Sequence, residues 1–465
     1  MEVLFTLREV AEATGGEILG GGNPIIGGVS VDSRLVLRGD LFVALPGERV
    51  DGHQFLPQAR DRGAVAALVS RRDLTTDLPL VLVEDTTRAL GDLAAWYRSR
   101  FPVTVVGVTG SVGKTTTKDM IAGVLGVHFS VLKTEGNYNT EIGLPLTLFR
   151  LRAGHSMAVL EMAMRGMGQI ARLAEIARPR IGVITTVTES HLELLGSMEN
   201  ILKAKAELVE ALPADGVAVL SYDNPALRGL GARLRAEGKQ VVFFGFSADC
   251  PVRAADVRIL GADGTEFTLY IDGEGRRQAK IPLAGRHQVH NALAAAAVGH
   301  LCELELEDIV EGLRRFDTTG MRMEVIEGKG ITLVNDAYNA SPTSTKAALK
   351  TVAAMHSSRT IVVLGPMLEL GAEAVERHRE VGRLCAELDV DYLFTVGGLA
   401  LGIAEGALAA GLPADRIASF QDNWSCLETV AGLIQTGDVV LIKGSRAAKM
   451  EEIVEGLKGR ILDDE

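Results

Sequence analysis

Residues 103–120, VTVVGVTGSVGKTTTKDM, place a β-branched apolar run, a glycine-marked turn and a helix start in direct succession. No other feature narrows the fold as much. The run reads as a strand buried within a sheet, and the helix after it must fold back over that sheet. The pair implies a parallel α/β layer whose ligands sit beyond the carboxyl ends of the strands. Gly110 and Gly113 let the backbone curl so that its N–H groups face one anion, to which the helix adds its positive end. Ser111, Val112 and Thr116 complete the loop TGSVGKTT; Lys114 is placed to reach outer phosphates, and the Thr115 hydroxyl to ligate magnesium. The strict G-x-x-x-x-G-K-[ST] spacing calls for glycine at position 108, where the chain has Val108, so this is a variant loop of the form T-G-S-x-G-K-T. Alone, it specifies a nucleoside triphosphate and leaves the reaction open.

The same alternation continues beyond the loop. MAVLEMA, IGVITTV, VAVLSYD and VVFFGF read as strands, with helices such as MGQIARLAEIAR between them. A stretch of short strands around VRAADVRILGADGTEFTLYIDG and an alanine-rich helix, GRHQVHNALAAAAVGHLC, follow. The tetrad DNPA at 223–226 reads as a turn. After FDTTGMRMEV a second strand series begins: ITLVNDAY, IVVLGPM, YLFTVGG and DVVLIKGS. Ahead of the loop, GGVSVDSR, DLFVALPGERVDGHQF, AVAALVS and LPLVLVED are short strands with turn residues and few helices. The expected fold is α/β in three domains: a small N-terminal α/β domain (1–85), a central, mostly parallel P-loop domain (86–317), and a C-terminal doubly wound, Rossmann-like domain (318–465).

Composition excludes some classes. A formal net charge of -12 argues against a general nucleic-acid binder, although a few local Lys and Arg side chains can still hold an anionic small molecule. The four cysteines, Cys250, Cys302, Cys385 and Cys426, are scattered with no metal or disulfide spacing and read as reduced, buried thiols. The start MEVLFTLREV lacks the pattern of a signal peptide, and no apolar run approaches the ~20 residues that span a bilayer. A cytoplasmic monomer without a membrane span is expected.

Several polar residues accompany the loop. Glu161 closes the strand MAVLEMA, and His191 is read at the end of the next strand segment, ITTVTESHLE. Lys203 and Lys205 follow on the helix MENILKAKAELVE; either one alone reads as a solvated helix face. Together, Thr115, Glu161 and His191 could supply ligands to metal ions near a γ-phosphate. A lysine beside such a metal is unfavourable as an ammonium group unless it is modified into an anion.

Eight motifs in order, TGSVGKTTTK, EGNYNTEIGLPLTL, EMAMRGMGQI, ESHLELLGSMENILKAKAEL, GRHQVHNALAAAA, GMRMEV, NDAYNASPTS and LIKGSRAAKME, resemble the Mur ligase family of ATP-dependent, amide-forming enzymes of peptidoglycan precursor synthesis. The resemblance covers essentially the whole chain. It implies that Lys205 is carbamylated by CO2 and, with His191, serves a second magnesium ion, while Thr115 and Glu161 serve the first. It implies that Asn291 lies against adenine, that Arg322 and Asp336 contact ATP phosphates and ribose, that Ser33 meets uracil, and that Asn139 and Thr140 touch substrate. Lys114, Glu161, His191, Lys205 and Arg322 are the implied catalytic set. EIGLPLTL with DAYNASP, and the absence of DNPR from the C-terminal domain, favour the branch that joins D-alanyl-D-alanine to a UDP-N-acetylmuramoyl tripeptide.

The chain departs from the family pattern at NYNTEIG, at GPMLELG with Pro366 in place of an acidic residue, and at SRAAKME. These departures bear on amino-acid-substrate contacts rather than on ATP chemistry. The competing readings are a relative that adds a single amino acid (lysine or diaminopimelate), a nucleotide-binding scaffold without turnover, and a folate-type glutamate ligase. The last would lack the N-terminal DSR…DGHQF segment. A scaffold would have no reason to keep Glu161, His191 and Lys205 beside Lys114.

Overall fold

The structure, a computed structural model, describes residues 4–47, 50–317, 320–355 and 357–462. Among these residues three large sheets form. The N-terminal one has five strands in the order Glu17–Leu19, Leu80–Leu82, Ala66–Val69, Asp40–Val43 and Gly28–Ser30, parallel except at the first pair. The central sheet has nine: Gly275–Ile281, Thr265–Ile271, Val252–Ile259, Gln240–Gly245, Val217–Ser221, Ile181–Ile184, Thr104–Thr109, Met157–Glu161 and Val131–Lys133. Its last seven in that order are parallel, and the first two join as antiparallel neighbours. The C-terminal sheet runs Glu324–Gly328, Ile331–Asp336, Asp438–Lys443, Arg359–Leu364, Tyr392–Val396 and Ile417–Phe420, antiparallel only at its first pair.

The strand Thr104–Thr109 lies inside its sheet, flanked by Met157–Glu161 and Ile181–Ile184, which explains why its sequence is continuously apolar. Register then positions the polar ends. Glu161 pairs with Val108, so its carboxylate emerges beside the glycine turn that follows Thr109. The helix Lys114–Leu125 leaves that turn and packs under the alanine-rich helix Arg286–Leu301. Small alanine side chains let the second helix bury nearly all of its faces there.

The helix Thr86–Ser99 is shared between the N-terminal and central sheets. Asp85 caps it by accepting from the N–H groups of Thr87 and Arg88. Its Trp96 and Tyr97 close on Phe5 from the N-terminal segment, and Phe5 also meets Phe149, with ring centroids 5.9–6.1 Å apart. One hydrophobic core therefore runs from Leu4 to Phe243 through both units. The tetrad DNPA is more than a turn: Asn224 caps the helix Pro225–Ala236, and its amide donates to the Val187 carbonyl at 2.9 Å. Asp223 accepts from the Phe246 N–H at 2.9 Å. Side chains with long-range partners hold this segment, and tetrad chemistry alone does not reveal such partners.

Candidate active site

The loop TGSVGKTT is packed so tightly that two glycines are required. A Cβ at Gly110 would lie 1.9 Å from the Thr185 hydroxyl, and one at Gly113 would lie 2.5 Å from Asn291 Oδ1; both residues also have positive φ. Asn291 thus abuts the loop directly, with its amide donating to Gln288 Oε1 at 2.9 Å. The Ser111 hydroxyl donates to the Thr188 carbonyl and accepts from the Thr188 N–H, and Thr185 Oγ1 donates to the Val112 carbonyl at 2.6 Å. Ser111 and Val112 thereby pin the loop to segment 185–188.

Lys114 donates to the Gly110 carbonyl at 2.9 Å. Desolvation lowers the pKa of its ammonium, Glu161 opposes the shift and the charge of Arg322 reinforces it. Arg322, from the C-terminal unit, therefore faces the loop. Its guanidinium lies over the Tyr338 ring at 4.1 Å, and its buried Nε has no hydrogen-bond partner among the described residues. Thr115 and Thr116 are both buried at the start of the helix.

Two partners fix the carboxylate of Glu161. Thr115 Oγ1 donates to Oε2 at 2.8 Å, and Asn139 Nδ2 donates to Oε1 at 2.8 Å. Asn139 therefore belongs to the Glu161 cluster. The carbonyl of Thr140 accepts from the Leu144 N–H at the entry to the helix Gly143–Leu148. The Glu161 N–H donates to Thr134 Oγ1 at 3.0 Å, and the Thr134 carbonyl accepts from Lys118 Nζ at 2.8 Å. Lys118 is 1% exposed and paired with Asp119 at 2.7 Å. This lysine, one turn along the helix from Lys114, carries no local mark of its burial in the sequence. Its buried role depends on the edge strand Val131–Lys133, which nothing local announces.

The two helical lysines separate cleanly. Lys203 is on the solvated face in an i,i+4 pair with Glu199, whereas Lys205 is 2% exposed. Among the described residues nothing hydrogen-bonds to or pairs with the Lys205 amine, and burial, reinforced by the charge of Lys114, holds its pKa well below 10.5. His191 does not end a strand. The strand stops at Ile184, and His191 stands at φ +65 where the short helix Leu192–Leu195 begins. Desolvation lowers its pKa, as do Lys114 and Lys205, while Glu369 opposes them. Its Nδ1 lies 2.6 Å from Glu369 Oε2, a residue of the C-terminal unit absent from the sequence-based set.

Asp336 accepts from Lys443 Nζ at 2.6 Å and from the Met323 N–H at 3.2 Å. His287 is near this pair: burial pushes its pKa down to about 4, Asp336 resists, and Lys443 and His290 add to the fall. His290 is likewise held at about 4 by burial, with Asp223 resisting, and its Nε2 is 2.7 Å from Ser221 Oγ. Both histidines precede Asn291 in GRHQVHNA, and their repetition there is a signal the sequence offers. Ser33 stands apart from this cluster; its hydroxyl donates to Gln58 Oε1 at 2.7 Å within the N-terminal unit.

Three basic side chains, Lys114, Lys205 and Arg322, thus converge near Glu161 at the carboxyl end of a parallel sheet. Such an arrangement suits a ligand carrying several negative charges. Among the described residues, no group of three His, Cys, Asp or Glu side chains is placed to hold a metal ion, and no helix is long and apolar enough to cross a membrane.

Comparison with known proteins identifies the class. Residues 25–98 match the Mur ligase family catalytic domain, 108–299 the Mur ligase middle domain, and 321–446 the Mur ligase glutamate ligase domain. The chain belongs to the Mur ligase family of ATP-dependent, amide-forming enzymes. Among its relatives is the UDP-N-acetylmuramoyl-tripeptide–D-alanyl-D-alanine ligase of Bacillus subtilis (strain 168), 39% identical over 97% of this chain and 98% of the relative. Two solved structures have the same architecture. MurF from Acinetobacter baumannii superposes with a TM-score of 0.89 at 31% identity, covering 98% of each chain. MurF ligase from Thermotoga maritima, in complex with ADP, gives 0.83 at 31% identity, covering 93% of this chain and 97% of that one.

Proposed function

We propose that this chain joins D-alanyl-D-alanine to the terminal carboxylate of a UDP-N-acetylmuramoyl tripeptide at the expense of ATP, as a cytoplasmic monomer. The convergence of Lys114, Lys205 and Arg322 without a matching set of carboxylates carries the reading. A carboxylate is a poor electrophile, so the tripeptide acid first takes the γ-phosphoryl group of ATP to become an acyl phosphate, leaving ADP. The amine of the dipeptide attacks the acyl carbon, a tetrahedral intermediate forms, and phosphate departs. Bringing two anions together is the electrostatic obstacle of the first step, and fixed positive charge lowers it.

In this reading, loop residues Gly110–Thr116 seat the phosphates, with Lys114 on the outer ones. Arg322 closes over them, and its unpartnered Nε is a donor free to take a phosphate oxygen. Asn291 lies against adenine, and Asp336 against ribose. Ser33 meets uracil, and Asn139 and Thr140 meet substrate. The donor set also fits two magnesium ions. Thr115 and Glu161 are hard oxygen donors sharing one point, and magnesium is commonly held by one or two carboxylates plus phosphate oxygens. Burial disfavours the ammonium form of Lys205, and the free amine is the form that adds CO2; a carbamate there would join His191 at the second ion. Bound magnesium supplies charge neutralisation at the transferred phosphoryl group.

The test is phosphate release by purified protein given ATP, UDP-N-acetylmuramoyl tripeptide and either D-alanyl-D-alanine or single amino acids. Release only with the dipeptide supports the assignment. Preference for lysine or diaminopimelate would move the chain to another branch, and no amine-dependent release would leave a nucleotide-binding scaffold.

A further inference from the structure

The segment Thr188–Glu193 of the central unit is held at two points by the C-terminal unit. Glu189 Oε1 accepts from the N–H and the hydroxyl of Thr343, at 3.1 and 2.9 Å, where the helix Pro342–Ala353 begins. On its other side, the Glu193 N–H donates to the Glu369 carbonyl at 3.4 Å, and Gly371 packs against the Glu193 side chain. Between these grips His191 Nδ1 meets Glu369 Oε2 at 2.6 Å. His191 and Glu369 stand at φ +65 and +63, left-handed conformations that residues with a Cβ keep only when their surroundings fix them. The sequence separation is 178 residues, so only docking of the C-terminal unit creates the pair.

A carboxylate can only accept, so the proton of the imidazole sits on Nδ1 and the lone pair on Nε2. From this we infer that Glu369 is a positioning residue: it fixes the tautomer and ring plane of His191, so that the second metal site is complete only when the C-terminal unit is docked. The inference rests on the proposed ligase reading, in which His191 is a metal ligand. Carboxylate–histidine pairs behind a metal raise affinity in this way, and losing the carboxylate typically costs about 10–100-fold in metal binding. Docking and metal binding then favour one another by linkage, because each stabilises the same arrangement. Glu369 lies in GPMLELG, next to the departure at Pro366, so the segment that varies beside it is also the one that reaches across to the central unit.

The experiment counts free Mn2+ by electron paramagnetic resonance in the presence of stoichiometric ADP, for the full-length protein and three variants. Glu369→Ala is expected to weaken one Mn2+ site by about tenfold or more. Glu369→Gln, whose amide oxygen still accepts from Nδ1–H, is expected to stay within about threefold of the parent. Glu369→Asp keeps the charge but is one methylene short; it should fall between the two, and it decides the matter if the alanine variant does not fold. Small-angle scattering of the ADP–Mn2+ complexes should show Glu369→Ala more extended than the parent. Equal Mn2+ affinity across parent, Glu369→Asp and Glu369→Ala overturns the inference while leaving the ligase reading intact. Absence of nucleotide-dependent Mn2+ binding in the parent overturns both.

Discussion

The carboxyl ends of the central and C-terminal sheets each bury a lysine to 2% exposure, yet the two lysines live in opposite surroundings. Lys443 ends the strand Asp438–Lys443 in register with Asp336 on the neighbouring strand, and their side chains pair at 2.6 Å. Its remaining contact is the Asn339 carbonyl at 2.8 Å, so the charge is satisfied within the fold. Among the described residues Lys205 has no hydrogen-bond or ion-pair partner, and the charge of Lys114 bears on it. A buried charge is normally tolerated only when it is paired. The paired lysine therefore reads as architecture, whereas the unpaired one marks a place where the fold holds an electrostatic tension that ligand or modification relieves.

Substitutions can break or sharpen that contrast. The largest effect is expected at Lys114, whose ammonium belongs to the unsatisfied cluster: Lys114→Ala should lower amine-dependent phosphate release by roughly 10³-fold or more, with little change in melting temperature. Near-normal turnover would remove the cluster from the chemistry. On the satisfied side, Asp336→Ala strands the Lys443 charge and should cost about 3–5 kcal/mol in denaturant unfolding. A loss near zero would mean that the two lysines do not differ as described.

Lys205→Met should do the reverse and raise stability in CO2-free buffer while removing activity. The sign follows from the depressed pKa: the unfolded chain keeps this proton up to about pH 10.5, and the folded protein gives it up earlier. The folded wild type is therefore penalised most at pH values below its own lowered pKa. The advantage of the methionine variant should be greatest there and should vanish as pH rises through about 10.5, which melting curves across that range would reveal. The smallest effect belongs to Lys203→Ala, which removes only a solvated i,i+4 pair and should stay within about 0.5 kcal/mol and leave turnover unchanged.

What the sequence disclosed follows the range over which each feature is determined. TGSVGKTT is local: strand, turn and helix occupy consecutive residues, so the loop and the burial of its strand could be read directly. Glu161 was also accessible, because a carboxylate ending an apolar strand has one place to go. Periodicity does not separate the neighbours Lys203 and Lys205, and only the family resemblance singles out Lys205; which of them is buried depends on how the helix Met198–Glu210 is rotated against the sheet. The segment ITTVTESHLE reads as a strand ending near His191 because its β-branched Thr and Val residues continue past Ile184, where the strand stops seven residues earlier. Lys118 and Glu369 carry no local signal, since the edge strand beside one and the docked unit behind the other are assembled by the fold.

The aromatic knot of Phe5, Trp96, Tyr97 and Phe149 has a consequence for how long a substrate the enzyme accepts. It welds the platform bearing Ser33 to the platform bearing the phosphate loop. On the proposed reading, the uridine end and the reacting acid of one molecule must then span a fixed interval, and a peptide one residue too short or too long would present its carboxylate out of register. The knot makes the first two-thirds of the chain a ruler.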